Sequence, residues 1–297
     1  MKQSPKDLLE SGKAAISEAA KKENLWDELG GYKFKLSEDA RAKRVYSQNK
    51  YILYHYTSFD TAKKIIEGSS LRFSSPDDFN DPFDLNFDIF DFESDIEGCV
   101  DFFGRMFPVI DKEEFKEQVK QTVSRDPDFI RKNGVQMLKE IKDALGVTCF
   151  SEEYDNALMW SHYADKHRGV CIGIKLGSTE SYNIMPVNYV EEMPKLNFYK
   201  HMNPDLHLIY LWLYYKLHIW AYEKEVRAIC PNIHMHCKNA QRLIEFPKED
   251  ITEIYIGLKS SENAASEIEL LLQNNGYDPT NIKITKMAIN PKSYSFI

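Results

Sequence analysis

The chain has 297 residues, 43% of them hydrophobic and 28% charged, which is enough for a sizeable core in one large domain or one domain with an appendage. A formal net charge of −8 excludes a global attraction to nucleic acid or to an anionic membrane, while a local basic groove stays compatible with it. Met1 to Ala15 is charged, and the longest apolar run, Leu206 to Trp220, is short and carries Tyr214, Tyr215, Lys216 and His218, so a cytoplasmic protein with no membrane span is expected. The five cysteines, Cys99, Cys149, Cys171, Cys230 and Cys237, are odd in number and form no CxxC pair, so reduced thiols are expected, with Cys149 and Cys171 in the core.

Residues 1–49 read as a helical extension. Ser4-Pro5 is a start signal, Leu8, Leu9 and Ile16 give a loose stripe, and Gly30-Gly31 breaks the pattern before a second charged segment from Ser37 to about Tyr46. Such an extension could contact a partner protein. Ile52 to Ser58 then reads as a strand, followed by a helix from Phe59 to about Glu67 with Ser58 as N-cap and Gly68 as stop. Leu71 to Ser75 resumes the strand pattern, and Pro76 to Phe83 is a turn-rich loop dense in Pro, Asn and Asp. Residues 91–145 switch to helical spacing and predict an inserted helical layer.

Strand signals return with Val147 to Ser151. Asp155 can cap a helix running to about Ala164, and Gly169 to Ile174 is a short apolar strand. Val187 to Val190 and Glu225 to Cys230 are further strands, separated by an apolar helix at 205–220. Ile251 to Gly257, a helix at 260–274 and a last strand from Ile282 to Ala288 complete the chain. Strands scattered among helices without regular alternation indicate an α+β domain over 50–297.

Several groups of residues carry possible chemistry. His55-Tyr56 brings an imidazole and an aromatic ring into one strand; such a histidine is usually a hydrogen-bonded core residue, and otherwise can bind a ribose hydroxyl. Ser74 to Pro82 lacks the central Gly and terminal Glu of a calcium loop. In Met159-Trp160-Ser161-His162-Tyr163, the Trp160–Tyr163 and Met159–His162 pairs each share a helix face, one for the core and one for a pocket. Arg168-Gly169 leads into a strand that permits close backbone approach. In Glu223-Lys224-Glu225-Val226-Arg227, read as a strand, Glu223, Glu225 and Arg227 point to one face. That pattern suits a solvated edge strand. It also suits cleavage of an N-glycosidic bond, where a carboxylate faces the cationic ribose, and Arg227 could grip a pyrophosphate. His234, His236 and Cys237 do not complete a metal ligand set, so no metal is expected.

Taken in order, these segments resemble the bacterial domain-of-unknown-function family 2971. The resemblance rests on Leu53-Tyr54-His55-Tyr56-Thr57-Ser58, Leu71 to Pro76 with Phe79-Asn80-Asp81-Pro82, and Cys149-Phe150-Ser151. It continues through Met159 to Ala164, His167 to Gly173 and Trp220 to Arg227, covering about residues 50 to 290. A weaker resemblance connects these segments to the ADP-ribosyltransferase superfamily, in its His-Tyr-Glu branch. That likeness implies a split antiparallel or mixed sheet, NAD as substrate and no metal. It also implies ADP-ribosyltransferase or NAD glycohydrolase activity, in a bacterial toxin or anti-phage effector, with a protein or nucleic-acid acceptor and a possible antitoxin at the N-terminal helices. His55 matches the first position of the triad and Glu223 or Glu225 the last, with Tyr163, or else Tyr56, in the middle. NAD would be held by His55, Tyr56, Thr57, Ser74, Trp160, His162, Tyr163, Arg168 and Arg227. Two rivals are a non-catalytic nucleotide- or phage-sensing module with the same pocket, and a nucleic-acid-processing enzyme centred on His55, His162 and Arg168.

Overall fold

The computed structural model describes residues 51–297 apart from 94, 108, 178, 180, 202–211, 238–240, 294, 295 and 297. The helices expected in residues 1–49 lie outside the described residues. The described chain divides into two compact units, one of residues 75–145 and 190–217 and the other of 51–74, 146–189 and 218–297. The architecture is α+β.

The second unit is built on a seven-stranded sheet. Its strands are β1 (Tyr51–Thr57), β2 (Gly146–Ser151), β3 (Val170–Leu176), β4 (Asn183–Pro186), β5 (Glu225–Cys230), β6 (Ile251–Ile256) and β7 (Lys283–Lys286), in the order β7-β6-β3-β1-β2-β5-β4. Every pairing is antiparallel except β6 with β7. β1 pairs with β3 along its whole length, from Tyr51↔Leu176 to Thr57↔Val170, but shares only Tyr54↔Ser151 with β2. Nearer the start of β2, Ser74 takes the place of β1, exchanging two 2.9 Å backbone hydrogen bonds with Val147.

Alternation along the strands gives the sheet two buried faces. One carries Leu53, Phe150, Ile172, Ile174, Val226 and Ile254. Helix α1 (Phe59–Gly68) covers it with Ile65 and Ile66, and helix α6 (Ala264–Asn274) with Ile268 and Leu272. Complete burial of each such side chain is worth about 1.5–3 kcal/mol. The other face carries Tyr56, Cys171 and Tyr255 beneath Met159 and Trp160 of helix α5 (Ala157–Tyr163). Ser58 caps α1 by accepting from the Thr61 amide, and the left-handed residue that ends the helix is Ser69 (φ 44°), one position beyond the expected Gly68.

The first unit contains the expected helical layer as α2 (Ile96–Met106), α3 (Lys112–Arg125) and α4 (Phe129–Ala144). Asp95 and Asp111 cap the first two by accepting backbone N–H groups. Its core is aromatic: Phe102, Phe198 and Tyr199 meet with ring centroids 5.1 to 5.5 Å apart, and Phe90 contacts Phe198 and Trp212. Of the helix expected at 205–220, residues 212–214 are helical, and the helix does not continue beyond them. Residues 215–217 are a short strand and His218–Glu223 a 3-10 turn. Lys216 is buried there against Asp84 at 3.6 Å, an ion pair that anchors the strand from its side chain.

Candidate functional site

The site grows from the start of β5 and the helix α5. The 3-10 turn His218–Glu223 is followed by Lys224 in the left-handed region (φ 42°), and the strand begins only at Glu225. Glu223 therefore does not belong to the strand on which it was expected, and the reading of Glu223, Glu225 and Arg227 as one alternating run holds for Glu225 and Arg227 only.

Glu223 is 3% exposed, and its Oε1 accepts the Tyr163 hydroxyl at 2.6 Å. Its carbonyl accepts from Ser151 Oγ at 2.7 Å, which fastens the turn to the end of β2. Asn156 does the same from the helix side. Its Oδ1 caps α5 by accepting from Leu158 N (3.0 Å) and Met159 N (3.3 Å), while its Nδ2 donates to the Tyr222 carbonyl at 2.8 Å. Tyr163 is thus carried by a short helix whose first turn is tied to the residue preceding Glu223. The helix cap is Asn156, one residue after the expected Asp155.

Beside this pair lies a buried ion pair. Arg227 is 0% exposed; its Nε donates to Glu225 Oε1 at 2.7 Å and a terminal nitrogen donates to Oε2 at 3.2 Å. The Glu225 backbone N–H donates to the Tyr189 hydroxyl at 2.8 Å. A paired guanidinium and carboxylate fully out of water persist only because the two-pronged geometry offsets their desolvation. Cross-strand register places Tyr54, Ser151 and Glu225 in one row, with Cys149 opposite Arg227 in the next.

His55 is not part of this face. It alternates with Tyr54, lies on the side of Leu53, and packs its ring 5.7 Å from Phe150, whose cross-strand partner is Val226. Its Nδ1 donates to the Cys149 carbonyl at 3.0 Å, in the opening where β1 and β2 diverge. Burial holds its pKa below the ordinary 6.5, against the opposing effect of that carbonyl. The expectation that His55 and the two glutamates face a common pocket is overturned by strand register. His55 and Glu225 sit on opposite sides of the sheet, and Glu223 bonds Tyr163 on the side of Glu225.

Other expected ligand-binding residues also divide. Tyr56 is 7% exposed and donates its hydroxyl to the Glu153 carbonyl; Trp160 is 0% exposed, sits edge-on to Tyr56 and donates Nε1 to the Tyr154 carbonyl at 2.7 Å. Both are core residues here, and Thr57 is buried at the end of β1. Ser74 is engaged through its backbone with β2. Arg168 is exposed and paired with Asp165 at 3.3 Å. His162 is exposed, 6.2 Å from the Tyr163 ring and 6.3 Å from Tyr222. Cys149, expected in the core, is exposed. His55, His162 and Arg168, the centre of the nucleic-acid-processing reading, share no common face.

Two ties that build the site, Asn156 and Tyr189, were not singled out from the sequence, and Ser151 entered only within the Cys149-Phe150-Ser151 motif. The available signal was a polar residue ending an apolar strand and an Asn just before a helix. His234 and His236 are exposed, and Cys237 Sγ donates to the Leu243 carbonyl at 3.2 Å. Among the described residues no group of three His, Cys, Asp or Glu side chains is gathered to hold a metal ion, and no helix is long and apolar enough to cross a membrane.

A carboxylate fixed by a tyrosine hydroxyl in a nearly dry environment can stabilise a cation developing against it, because no water has to reorganise. No curated protein matches the chain, and no solved structure does. The family model described as a protein of unknown function, DUF2971, matches residues 159–228, from Met159 of α5 to Ala228 of β5. That match includes Tyr163, Glu223, Glu225 and Arg227, and over this stretch the chain is similar to that family.

Proposed function

We propose that the Tyr163–Glu223 pair is the working centre of a site that breaks the nicotinamide–ribose bond of NAD, passing ADP-ribose to water or to a macromolecular acceptor. The setting proposed with it is a bacterial toxin or anti-phage effector acting in the cytoplasm. One observation carries the reading: a nearly buried carboxylate held at 2.6 Å by a tyrosine hydroxyl, beside a second carboxylate already matched by arginine. In the reaction the C–N bond breaks, the electron pair leaves with nicotinamide, and the ribose becomes cationic. Glu223 faces that charge. The attacking hydroxyl or nucleophile then adds to the ribose carbon and loses its proton.

The geometry favours Glu223 over Glu225, because both Glu225 oxygens accept from Arg227. His55 has no role in this version, since it lies on the other side of the sheet. A second reading, a non-catalytic nucleotide-sensing module, draws support from that same displacement of His55 and from the neutralised state of Glu225.

The test is NAD consumption by pure protein, alone and with cell extract as acceptor source. Glu223→Gln keeps the shape, removes the charge and is expected to lower turnover about 10²–10³-fold, the usual effect of losing one such electrostatic contact. Glu225→Gln is expected to act mainly on stability. No NAD loss by folded wild-type protein under either condition rejects the enzymatic reading and leaves the sensing module.

A further inference from the structure

We infer that Ser161 and His167 are positioning residues for the Tyr163–Glu223 pair, acting through the left-handed turn that closes α5. The inference rests on the reading of that pair as the working centre.

α5 has seven residues, about two turns, and a helix that short has no stability of its own. Its direction must be set by what holds its ends. Asn156 holds the first turn. The other end carries Tyr163 and runs into Asp165, Lys166 and His167, three successive residues with φ of 45°, 54° and 70°. Each left-handed non-glycine residue costs about 1–2 kcal/mol, so the run persists only because its surroundings fix it.

Those surroundings are specific. His167 N donates back to the Trp160 carbonyl at 3.1 Å, and Gly169 N donates to the Ala164 carbonyl at 2.8 Å. The His167 carbonyl accepts from Lys259 N at 2.9 Å. A Cβ at Gly169 would stand 2.1 Å from the Thr57 carbonyl oxygen, and one at Gly257 would stand 2.2 Å from that of His167. The turn is therefore pressed against the ends of β1 and β6 with no space for a side chain at either contact.

One side-chain bond joins this fixed turn to the helix: His167 Nε2 and Ser161 Oγ are 2.9 Å apart. Ser161 lies two residues before Tyr163. His167 Nδ1 is buried without a hydrogen-bond partner among the described residues, and the ring lies 5.9 Å from Phe296. A second ring proton would find no acceptor there, and burial together with the Lys259 charge lowers the His167 pKa below 6.5. The ring is neutral at pH 7 and suits a neutral hydrogen bond with the serine in either tautomer. Without that bond the last turn of α5 keeps only its backbone ties to the turn, and the side chain of Tyr163 loses part of what fixes its approach to Glu223.

The experiment uses full-length protein with ¹³Cζ-labelled tyrosine, Tyr163 being assigned from Tyr163→Phe. Ser161→Ala removes the bond and leaves the backbone unchanged. His167→Asn tolerates the left-handed turn but falls short of Ser161, whereas His167→Gln can reach it. Ser161→Ala and His167→Asn are expected to move the Tyr163 resonance towards that of an unbonded phenol. They should also lower kcat for NAD about 10–100-fold, a misplacement effect, with KM little changed. His167→Gln should restore most of both. An unmoved Tyr163 resonance in folded Ser161→Ala overturns the inference, and this arm decides alone if His167→Asn fails to fold. If the wild type consumes no NAD, the proposed reaction fails, while the resonance still decides whether Ser161 and His167 position Tyr163.

Discussion

Arg227 is the clearest case of a residue whose worth depends on its partner. With 0% exposure and two hydrogen bonds to Glu225, it stabilises little relative to a well-packed apolar pair, because desolvation offsets most of the attraction. Its removal alone is another matter, since Glu225 would stay in the interior as an uncompensated charge. Arg227→Met is expected to destabilise the protein by about 3–5 kcal/mol, and the double variant Arg227→Met/Glu225→Gln to recover a large part of that loss. Urea unfolding of the two singles and the double closes the cycle. Purely additive losses would mean that the two side chains are not coupled, and Glu225 would again be a candidate to face substrate. On Glu223 the Tyr163 hydroxyl donates to Oε1 at 2.6 Å and orients the carboxylate.

At the scale of elements, α5 connects the sheet to the site, and Asn156 performs two tasks at its start. Asn156→Ala removes an N-cap and the tie to the Tyr222 carbonyl. A cost of about 1–2 kcal/mol is expected, with reduced NAD turnover, whereas Asn156→Asp should keep the cap and lose only the tie. Thermal melts and turnover of the two variants separate these contributions, and equal behaviour would assign everything to the tie. The same element shows what the sequence disclosed. Ser58 announces its helix because a short polar side chain before an apolar period has a local meaning, Asp155 announces the next one residue before the true cap Asn156, and β1, β3 and β5 stand out by composition alone. Lys224 could not be read this way. Nothing in Glu223-Lys224-Glu225 signals a left-handed residue, so alternation alone extends the strand one step too far. The side of the sheet on which His55 lies was equally hidden. Periodicity relates residues within a strand, but only the register Tyr54↔Ser151↔Glu225 relates β1 to β5, and register is a tertiary property.

At the scale of the molecule, two half-buried histidines predict how stability follows pH. His55 and His167 belong to the same unit, and both have pKa values lowered below 6.5 in the folded state, mainly by burial. Once unfolded, each titrates near its ordinary value. Between that value and the lower folded one, the unfolded chain binds more protons, so stability falls as the pH falls. The contribution is fully present above about pH 6.5 and is lost progressively below it. Net charge works in the opposite direction, because protonation relieves the self-repulsion of a chain carrying −8. The carboxylates with lowered pKa values, Asp126 and Asp278, titrate too far down to act in this window. A decline in urea-unfolding free energy from pH 7.5 to 5.5 therefore belongs to the histidines. His55→Gln and His167→Gln should each flatten it, and the two effects should add, since one ring packs on Phe150 and the other beside Phe296 on the opposite side of the sheet. If neither His55→Gln nor His167→Gln changes the pH dependence of stability across that interval, neither imidazole is held neutral by the fold, and the neutral hydrogen bond between His167 and Ser161 loses its electrostatic basis.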